Sequence, residues 1–380
     1  MNKKQNLYWA IYKNLEKEMI ELSNQIHFDD NQLNVYSIKI TELLIRCSIE
    51  IESIAKELYE QEGGDMNPAD TNGKNRDLYF DTDCMEFLEN KWSLSKKNVL
   101  VSATTFYFEK NENNILIPLN KANKRGTSGA KWKQAYQALK HNRAKNLSKG
   151  NLENLIKTMA ALYLLNIYYK NEKIITTYKD YKQLNMTFGS KIFSLPMPTE
   201  PNQMWYGNLA SGENSVYILK YADATYKNIL NMQKKENDAR NDYWKEQPEL
   251  KESLFIKQLS EAIDNERKNP SQRVIYLWEL CKYRLNKKVQ SDLPFADRKK
   301  LLCQTAEWKS SMFQTNNKVS EADLTEDNIQ DVINNAGTCA GIMLESSLTR
   351  RGTKEHWTTY SFTEAQCEMV IDKSNIKYNL

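Results

Sequence analysis

Apolar side chains recur at steps of three and four residues between positions 40 and 58. This spacing places them on one stripe of an amphipathic helix. The stripe consists of Ile40, Leu43, Leu44, Cys47, Ile51, Ile54, Ala55 and Leu58. Gly63 and Gly64 are predicted to end the helix, and residues 65–75, rich in Gly, Asn, Asp and Pro, are predicted to form a loop.

The pattern changes to β-branched and aromatic residues between Val99 and Leu119. Turn-like residues 111–114 divide this stretch, which predicts a small β-hairpin. A short helix is predicted before the hairpin, over residues 83–90. A basic, glycine-containing loop is predicted after it, over residues 121–129.

Two more helices are predicted after this loop. The first carries on one face Trp132, Tyr136, Leu139 and Arg143. The second begins near Asn151 and stays apolar round most of its circumference as far as Tyr169. A helix of that kind is expected to be central and buried.

Three prolines within six residues, Pro196, Pro198 and Pro201, interrupt any helix at the middle of the chain. We therefore predict a first domain over residues 1–193, a linker over 194–214 and a second domain over 215–380. In the second domain helices are predicted over 215–241, 250–263 and 274–285, and a short strand over 356–362. The predicted fold class is mainly α: a helical bundle with a small β-hairpin insertion, followed by a second mostly helical domain.

Composition places the chain among globular proteins, with 40% hydrophobic and 27% charged residues in 380. The six cysteines are widely spaced and form no Cys-x-x-Cys pair, so reduced thiols are expected and no zinc site or disulfide framework. The N-terminus is too polar for a signal peptide, and no apolar run approaches the roughly 20 residues of a membrane span. A cytoplasmic protein without membrane contact is expected.

Familiar catalytic signatures are missing from the sequence. It contains no glycine-rich phosphate loop, no Gly-x-Ser-x-Gly and no His-Glu-x-x-His. With only three histidines and no cluster of ligand residues, neither a metal nor a cofactor is expected.

The candidate chemistry lies around Lys140, His141 and Arg143. On a regular helix His141 and Arg143 lie about 200° apart, so they meet at one phosphate only if the helix ends between them or a second subunit contributes. The structural alternative is that these cations complement the dipole of a helix C-terminus and bond its last carbonyls. Glu50, at the edge of the first stripe, is expected to stay solvated or to pair with Lys140 or Arg143.

Residues 121–149 contain nine Lys or Arg and no acidic residue, although the net charge of the whole chain is only +4. Such a local basic segment favours phosphate binding more than the overall charge does. The predicted nucleic-acid-binding residues are Lys121, Lys124, Arg125, Lys131, Lys133, Lys140 and Lys145.

Residues 33–193 resemble bacterial proteins with a HEPN-like (higher eukaryotes and prokaryotes nucleotide-binding) helical core, many of them associated with phage defence. The resemblance is carried by four features: the helix 36–58, the strand end at Pro118, the pattern Trp132, Tyr136, Lys140, His141 and Arg143, and the run from Asn151 to Asn154 that leads into Ala160, Ala161 and Leu162. It implies a bundle of about four helices, homodimerisation and, in active members, metal-independent RNA cleavage. Their motif is Arg, four to six residues, then His.

That spacing occurs here at Arg351 and His356, and at Arg350 and His356. It does not occur at His141, whose nearest upstream arginine is Arg125. The candidate catalytic residues are therefore His141 with Arg143, and His356 with Arg351. Gly352 disfavours a helix there, so the alternative for the second pair is an exposed loop.

Three functions remain open on these grounds. The first is a defence-type protein that binds and cleaves RNA as a HEPN-type endoribonuclease, the second domain sensing a signal or contacting a partner. The second is a non-enzymatic helical scaffold that docks a partner protein, and the third is nucleic-acid binding without cleavage. The expected partners are RNA and either a second copy of the chain or another protein.

Overall fold

A computed structural model describes residues 7–198, 214–268, 276–311, 319–357 and 366–372. The side chains of residues 276, 311 and 349–357 lie outside this description. The described chain is mainly helical, as the sequence predicts. It forms two compact units: Met1–Ala222 together with Thr363–Leu380, and Asp223–Phe362.

The first unit contains the helices that the sequence predicts and two that it does not, over residues 7–23 and 111–114. Its α-helices are α1 Leu7–Ser23, α2 Ile38–Gln61, α3 Glu86–Trp92, α4 Asn111–Asn114, α5 Lys131–Asn142 and α6 Leu152–Lys170. The predicted helix over 83–90 is longer than expected, because a π-helical turn, Phe80–Met85, runs directly into α3.

Helix α6 is the centre of the first unit. Nearly all of its side chains are buried, and it packs against α1, α2 and α5. The Asn151 side chain caps its start by accepting a hydrogen bond from the Asn154 backbone N–H, at 3.0 Å. The prediction of a central, buried helix beginning near Asn151 is confirmed.

Short strands complete the first unit. They are β1 Phe28–Asp29, β2 Val99–Val101, β3 Phe106–Tyr107, β4 Ile115–Leu116, β5 Ile174–Thr177, β6 Phe193–Ser194, β7 Tyr217–Tyr221 and β8 Gln366–Ile371. Antiparallel pairing of β2 with β4 confirms the outer strands of the predicted hairpin, and β6 pairs with the other edge of β2. Within the hairpin, β3 pairs in parallel with β1 instead, and the predicted turn 111–114 is the short helix α4. A second three-stranded sheet has the order β5-β8-β7, with β8 in the middle.

This second sheet changes two expectations about the middle of the chain. The helix predicted over 215–241 begins only at Asp223, because the preceding residues form β7 and pair with β8. The compact units also divide the chain elsewhere than at the predicted linker. Strands β7 and β8 both belong to the first unit, and residues 199–213 of the linker lie outside the described part.

The second unit is helical in its described residues. Its helices are α7 Asp223–Lys245, α8 Ser253–Lys268, α9 Tyr276–Val289, α10 Phe295–Gln304, α11 Ala306–Ser311 and α12 Ile329–Trp357. Helix α12 packs against α7, α9 and α11. Gly341 allows a close approach to α9, since a Cβ there would lie 2.6 Å from the Trp278 Cα.

Helix α12 overturns the prediction for the start of the 356–362 segment. His356 and Trp357 are helical, while residues 358–362 lie outside the described part. The helix also runs through Gly352, so Arg350, Arg351 and His356 lie on a helix and not in an exposed loop. A glycine lowers helix propensity by about 1 kcal/mol, which a long packed helix offsets.

Candidate nucleic-acid interface

The buried face of α5 fixes the position of the basic segment. Trp132, Tyr136 and Leu139 are buried, and the Trp132 indole N–H donates to the Pro118 carbonyl at 2.8 Å. Arg143, predicted to share this face, is exposed instead. The reason is that the α-helix ends at Asn142, before Arg143 is reached.

Two asparagines close the C-terminus of α5. The Asn142 side chain accepts from the Lys145 backbone N–H at 3.2 Å. The Asn146 side-chain amide donates to the Asn142 carbonyl at 2.8 Å and to the Ala138 carbonyl at 3.4 Å. Two carbonyls near the end of the helix are therefore bonded by an asparagine side chain, a role that the structural alternative assigned to the cations.

The cations at this end of α5 face solvent. Exposed side chains belong to Lys140, His141, Arg143, Lys145 and Lys149. Within the described part of the chain, none of the four Lys and Arg among them has a carboxylate oxygen within 4.0 Å of its charged nitrogens. The Lys140 ammonium lies 5.6 Å from the centre of the Tyr136 ring. We call residues 140–149 the basic turn.

The end of α5 also satisfies one of the two conditions under which His141 and Arg143 can contact the same phosphate, namely that the helix ends between them. Asn142 has φ −153° and ψ 79°, and Arg143 begins a 3₁₀ turn that ends at Lys145. The two side chains are thus no longer held on opposite sides of one regular helix. That His141 and Arg143 contact one phosphate together stays a prediction.

Among the described residues, the other predicted phosphate ligands are exposed and without an ion pair, exposed and in an ion pair, or, in the case of Lys133, buried. Lys121 and Lys131 are exposed. Lys124 and Arg125 are exposed but paired, with Glu86 at 3.3 Å and Asp81 at 2.8 Å.

Lys133 is buried and structural. Its ammonium donates to the carbonyls of Ala122, at 3.0 Å, and of Lys124, and lies 3.3 Å from a carboxylate oxygen of Asp81. Burial lowers the pKa of this lysine, and the Asp81 charge opposes that change. Lys133 therefore ties the loop 121–129 to α5 and has no free donor face for a ligand.

Glu52 is a charged neighbour of the basic turn that the sequence reasoning missed. Burial raises the pKa of this α2 carboxyl, and the Lys140 and Lys56 charges oppose the rise. The residue considered from sequence was Glu50, whose carboxyl faces the charge of Arg46 instead. Both glutamates lie close to the apolar stripe of α2, and only the packing of α2 against α5 shows which of them faces Lys140.

The second candidate pair belongs to α12 of the second unit. The backbones of Arg351 and His356 lie in the final turns of α12, and their side chains lie outside the described part. Their role stays a prediction. Among the described residues no group of three or more His, Cys, Asp or Glu is arranged to hold a metal ion. The same residues include no helix long and apolar enough to cross a bilayer.

No family model, curated protein or solved structure matches this chain. The resemblance of residues 33–193 to HEPN-like proteins therefore stays a prediction.

Proposed function

We propose that the first unit binds RNA through the basic turn. One observation carries the proposal: an asparagine side chain bonds carbonyls at the end of α5, and Lys140, Arg143, Lys145 and Lys149 are exposed and form no ion pair within 4.0 Å among the described residues. Phosphates neutralise such a group of cations and release the counterions around the nucleic acid. The HEPN-like resemblance supports RNA as the nucleic acid and phage defence as the setting.

The scaffold alternative assigns these cations to the helix end. In that alternative the cations complement the dipole of α5 and can bond its last carbonyls, yet Asn146 donates to the Ala138 and Asn142 carbonyls. The geometry therefore favours a ligand for the cations over an architectural role.

The helix break between His141 and Arg143 favours RNA cleavage as a second candidate function. In that reaction the imidazole takes the proton of the 2′-hydroxyl or protonates the leaving oxygen, and the guanidinium stabilises the charge that develops on phosphate. The attacking group is the 2′-hydroxyl of the substrate itself, so DNA is spared. His356 with Arg351 remains the other candidate pair for the same roles.

Salt-dependent affinity tests the binding proposal. The probe is a fluorescent single-stranded RNA of 20 nucleotides, and affinity is measured by anisotropy at several salt concentrations. Replacing Lys145 and Lys149 by glutamine removes two phosphate contacts, which should reduce the slope of log affinity against log salt by about 1.4. The matched control replaces two exposed lysines of α7, Lys227 and Lys234, by glutamine and should leave the slope unchanged.

Two results would overturn the binding proposal. One is a wild-type affinity that does not change between low and moderate salt. The other is an equal slope in the two double variants, since both remove the same charge.

Cleavage is tested separately, with the same RNA and a matched DNA in EDTA. RNA-only cleavage that is lost in His141→Ala or in His356→Ala names the histidine and supports the second candidate function. RNA that stays intact with the wild-type protein rejects cleavage and leaves the binding proposal to its own test.

A further inference from the structure

An exposed aromatic residue, Tyr36, lies beside the basic turn. Its side chain is 54% exposed, and its backbone forms an antiparallel bridge with Asn151, two residues after Lys149. The carbonyls on its N-terminal side are held as well. The Val35 carbonyl accepts from the Leu152 N–H at 2.9 Å, and the Leu33 carbonyl from the Glu153 N–H at 2.9 Å.

The chain on the other side of Tyr36 is fixed by α2. The Ser37 hydroxyl accepts from the Ile40 N–H at 3.1 Å and caps that helix. One turn later, Thr41 packs against Gly150 so closely that a Cβ on the glycine would lie 2.0 Å from the Thr41 Oγ1. The backbone that carries Tyr36 is thus anchored against the turn that carries Lys149.

Two more exposed apolar side chains belong to the segments that carry Tyr36 and the cations. Ile38 is 77% exposed and Leu147 is 51% exposed. Leu147 belongs to the basic turn itself, and Ile38 lies in the first turn of α2. An exposed aromatic ring on an anchored backbone, next to a group of cations, provides the two components of a surface that binds unpaired nucleotides.

We infer that the RNA bound here is single-stranded, with one base stacked on the Tyr36 ring and the neighbouring phosphates on Lys145 and Lys149. The inference rests on the proposed RNA binding and adds the class of RNA. Bases in a duplex are already stacked and paired, so their faces are closed to an aromatic side chain, whereas an unpaired base offers its π-face.

A second copy of the chain is the other occupant that an apolar surface could take. Charge decides against it, because two copies meeting at this surface would bring Lys145 and Lys149 of one copy, which form no ion pair among the described residues, against the same cations of the other. RNA supplies the opposite charge next to the aromatic ring. The experiment below still separates the two occupants.

Binding of an oligouridine and of an RNA hairpin duplex with the same number of phosphates tests the inference. Tyr36→Ala should weaken oligouridine binding roughly 5- to 150-fold, the range expected for loss of one stacked base. Tyr36→Phe keeps the ring and should bind within about twofold of wild type. The matched control is Tyr107→Ala on β3, where the side chain is 57% exposed and outside the basic turn, and it should bind as wild type does.

The outcomes separate this inference from the proposed function. If the wild-type protein binds neither RNA, the proposed function fails and this inference fails with it. If it binds with the expected salt slope and Tyr36→Ala binds oligouridine as tightly as wild type, only the inference fails. A change of sedimenting mass in Tyr36→Ala, with unchanged RNA affinity, would assign the surface to self-association and also overturn the inference. Equal circular dichroism and unfolding temperature of the variants exclude misfolding as the cause of any loss.

Discussion

The carboxyl of Glu52 shows how burial and charge act together on one side chain. Burial raises its pKa, while Lys140 and Lys56 oppose the rise without cancelling it. A carboxyl whose pKa is higher in the folded than in the unfolded state binds its proton more tightly when folded. Its ionisation at neutral pH therefore costs stability.

Glu52→Gln should accordingly raise the free energy of unfolding at neutral pH. The sign follows from the raised pKa: the cost of ionisation is absent below the unperturbed value of 4.5 and complete above the folded-state pKa. The stability difference between variant and wild type should shrink as the pH falls from the folded-state pKa towards 4.5, and it should be smallest below 4.5. Urea unfolding from pH 7 to pH 4 measures it, with the exposed Glu60→Gln on the same helix as control. A difference that stays constant over this range would contradict the prediction.

Single residues also show where sequence reasoning about the candidate site stops. The high density of cations over 121–149 is visible in the sequence, and most of them are indeed exposed. The burial of Lys133 is not visible there, because its partners are carbonyls of Ala122 and Lys124, brought together by the loop. The asparagines that close α5 are polar residues at a predicted helix end, and their role could have been read from that position.

At the scale of elements, the contact between the basic turn and α2 depends on Gly150. The close approach of this glycine to Thr41 leaves no room for a side chain. The contact sets where the basic turn lies relative to the first turn of α2.

Gly150→Ala should lower the free energy of unfolding by about 1–3 kcal/mol, the usual cost of inserting a methyl group into a packed contact. The loss should be smaller when Thr41→Ala is also present, since that change removes the oxygen 2.0 Å from the added Cβ. Chemical denaturation of the two single variants and the double variant measures the coupling. Equal costs of Gly150→Ala in both backgrounds would show that the methyl group is accommodated elsewhere.

Predictions of helices and strands succeed where the stabilising interactions join residues close in sequence, and fail where they join residues far apart. Local patterns of apolar residues and capping residues specify helices α2 and α6, and both helices are found where the sequence predicts them. Strand β7 is not visible locally, because it is stabilised by β8, whose residues lie far along the chain. A short apolar run such as 217–221 fits a helix or a strand until its partner is known.

At the scale of the whole molecule, the second unit is an insertion into the first. The Ala222 N–H donates to the Gln366 carbonyl at 2.9 Å, so the chain leaves the first unit and re-enters it at adjacent positions. The predicted domain boundary at 194–214 rests on the prolines there, but a proline indicates only that a helix ends. It does not show to which core the next strand belongs.

Removal of the second unit should leave a folded first unit. We expect a chain in which a linker of about six Gly and Ser residues joins Ala222 to Gln366 to unfold cooperatively, because the two ends are already hydrogen-bonded neighbours. Circular dichroism during thermal unfolding checks this. A chain that stops at Ala222 is the control, and it should be much less stable because it lacks the buried Cys367, Met369 and Ile371. Loss of cooperative unfolding in the linked chain would show that the first unit needs the second.

The order β5-β8-β7 has a consequence for the protein during its synthesis. Strands β5 and β7 leave the ribosome early, and neither has its neighbour until residues 366–371 have been made. At roughly 5–20 residues per second, the whole second unit is translated during an interval on the order of ten seconds, in which two strand edges stay unpaired. Completion of the N-terminal core is thereby coupled to translation of the second unit, and chains that stop within that unit should be efficient substrates for cellular proteases.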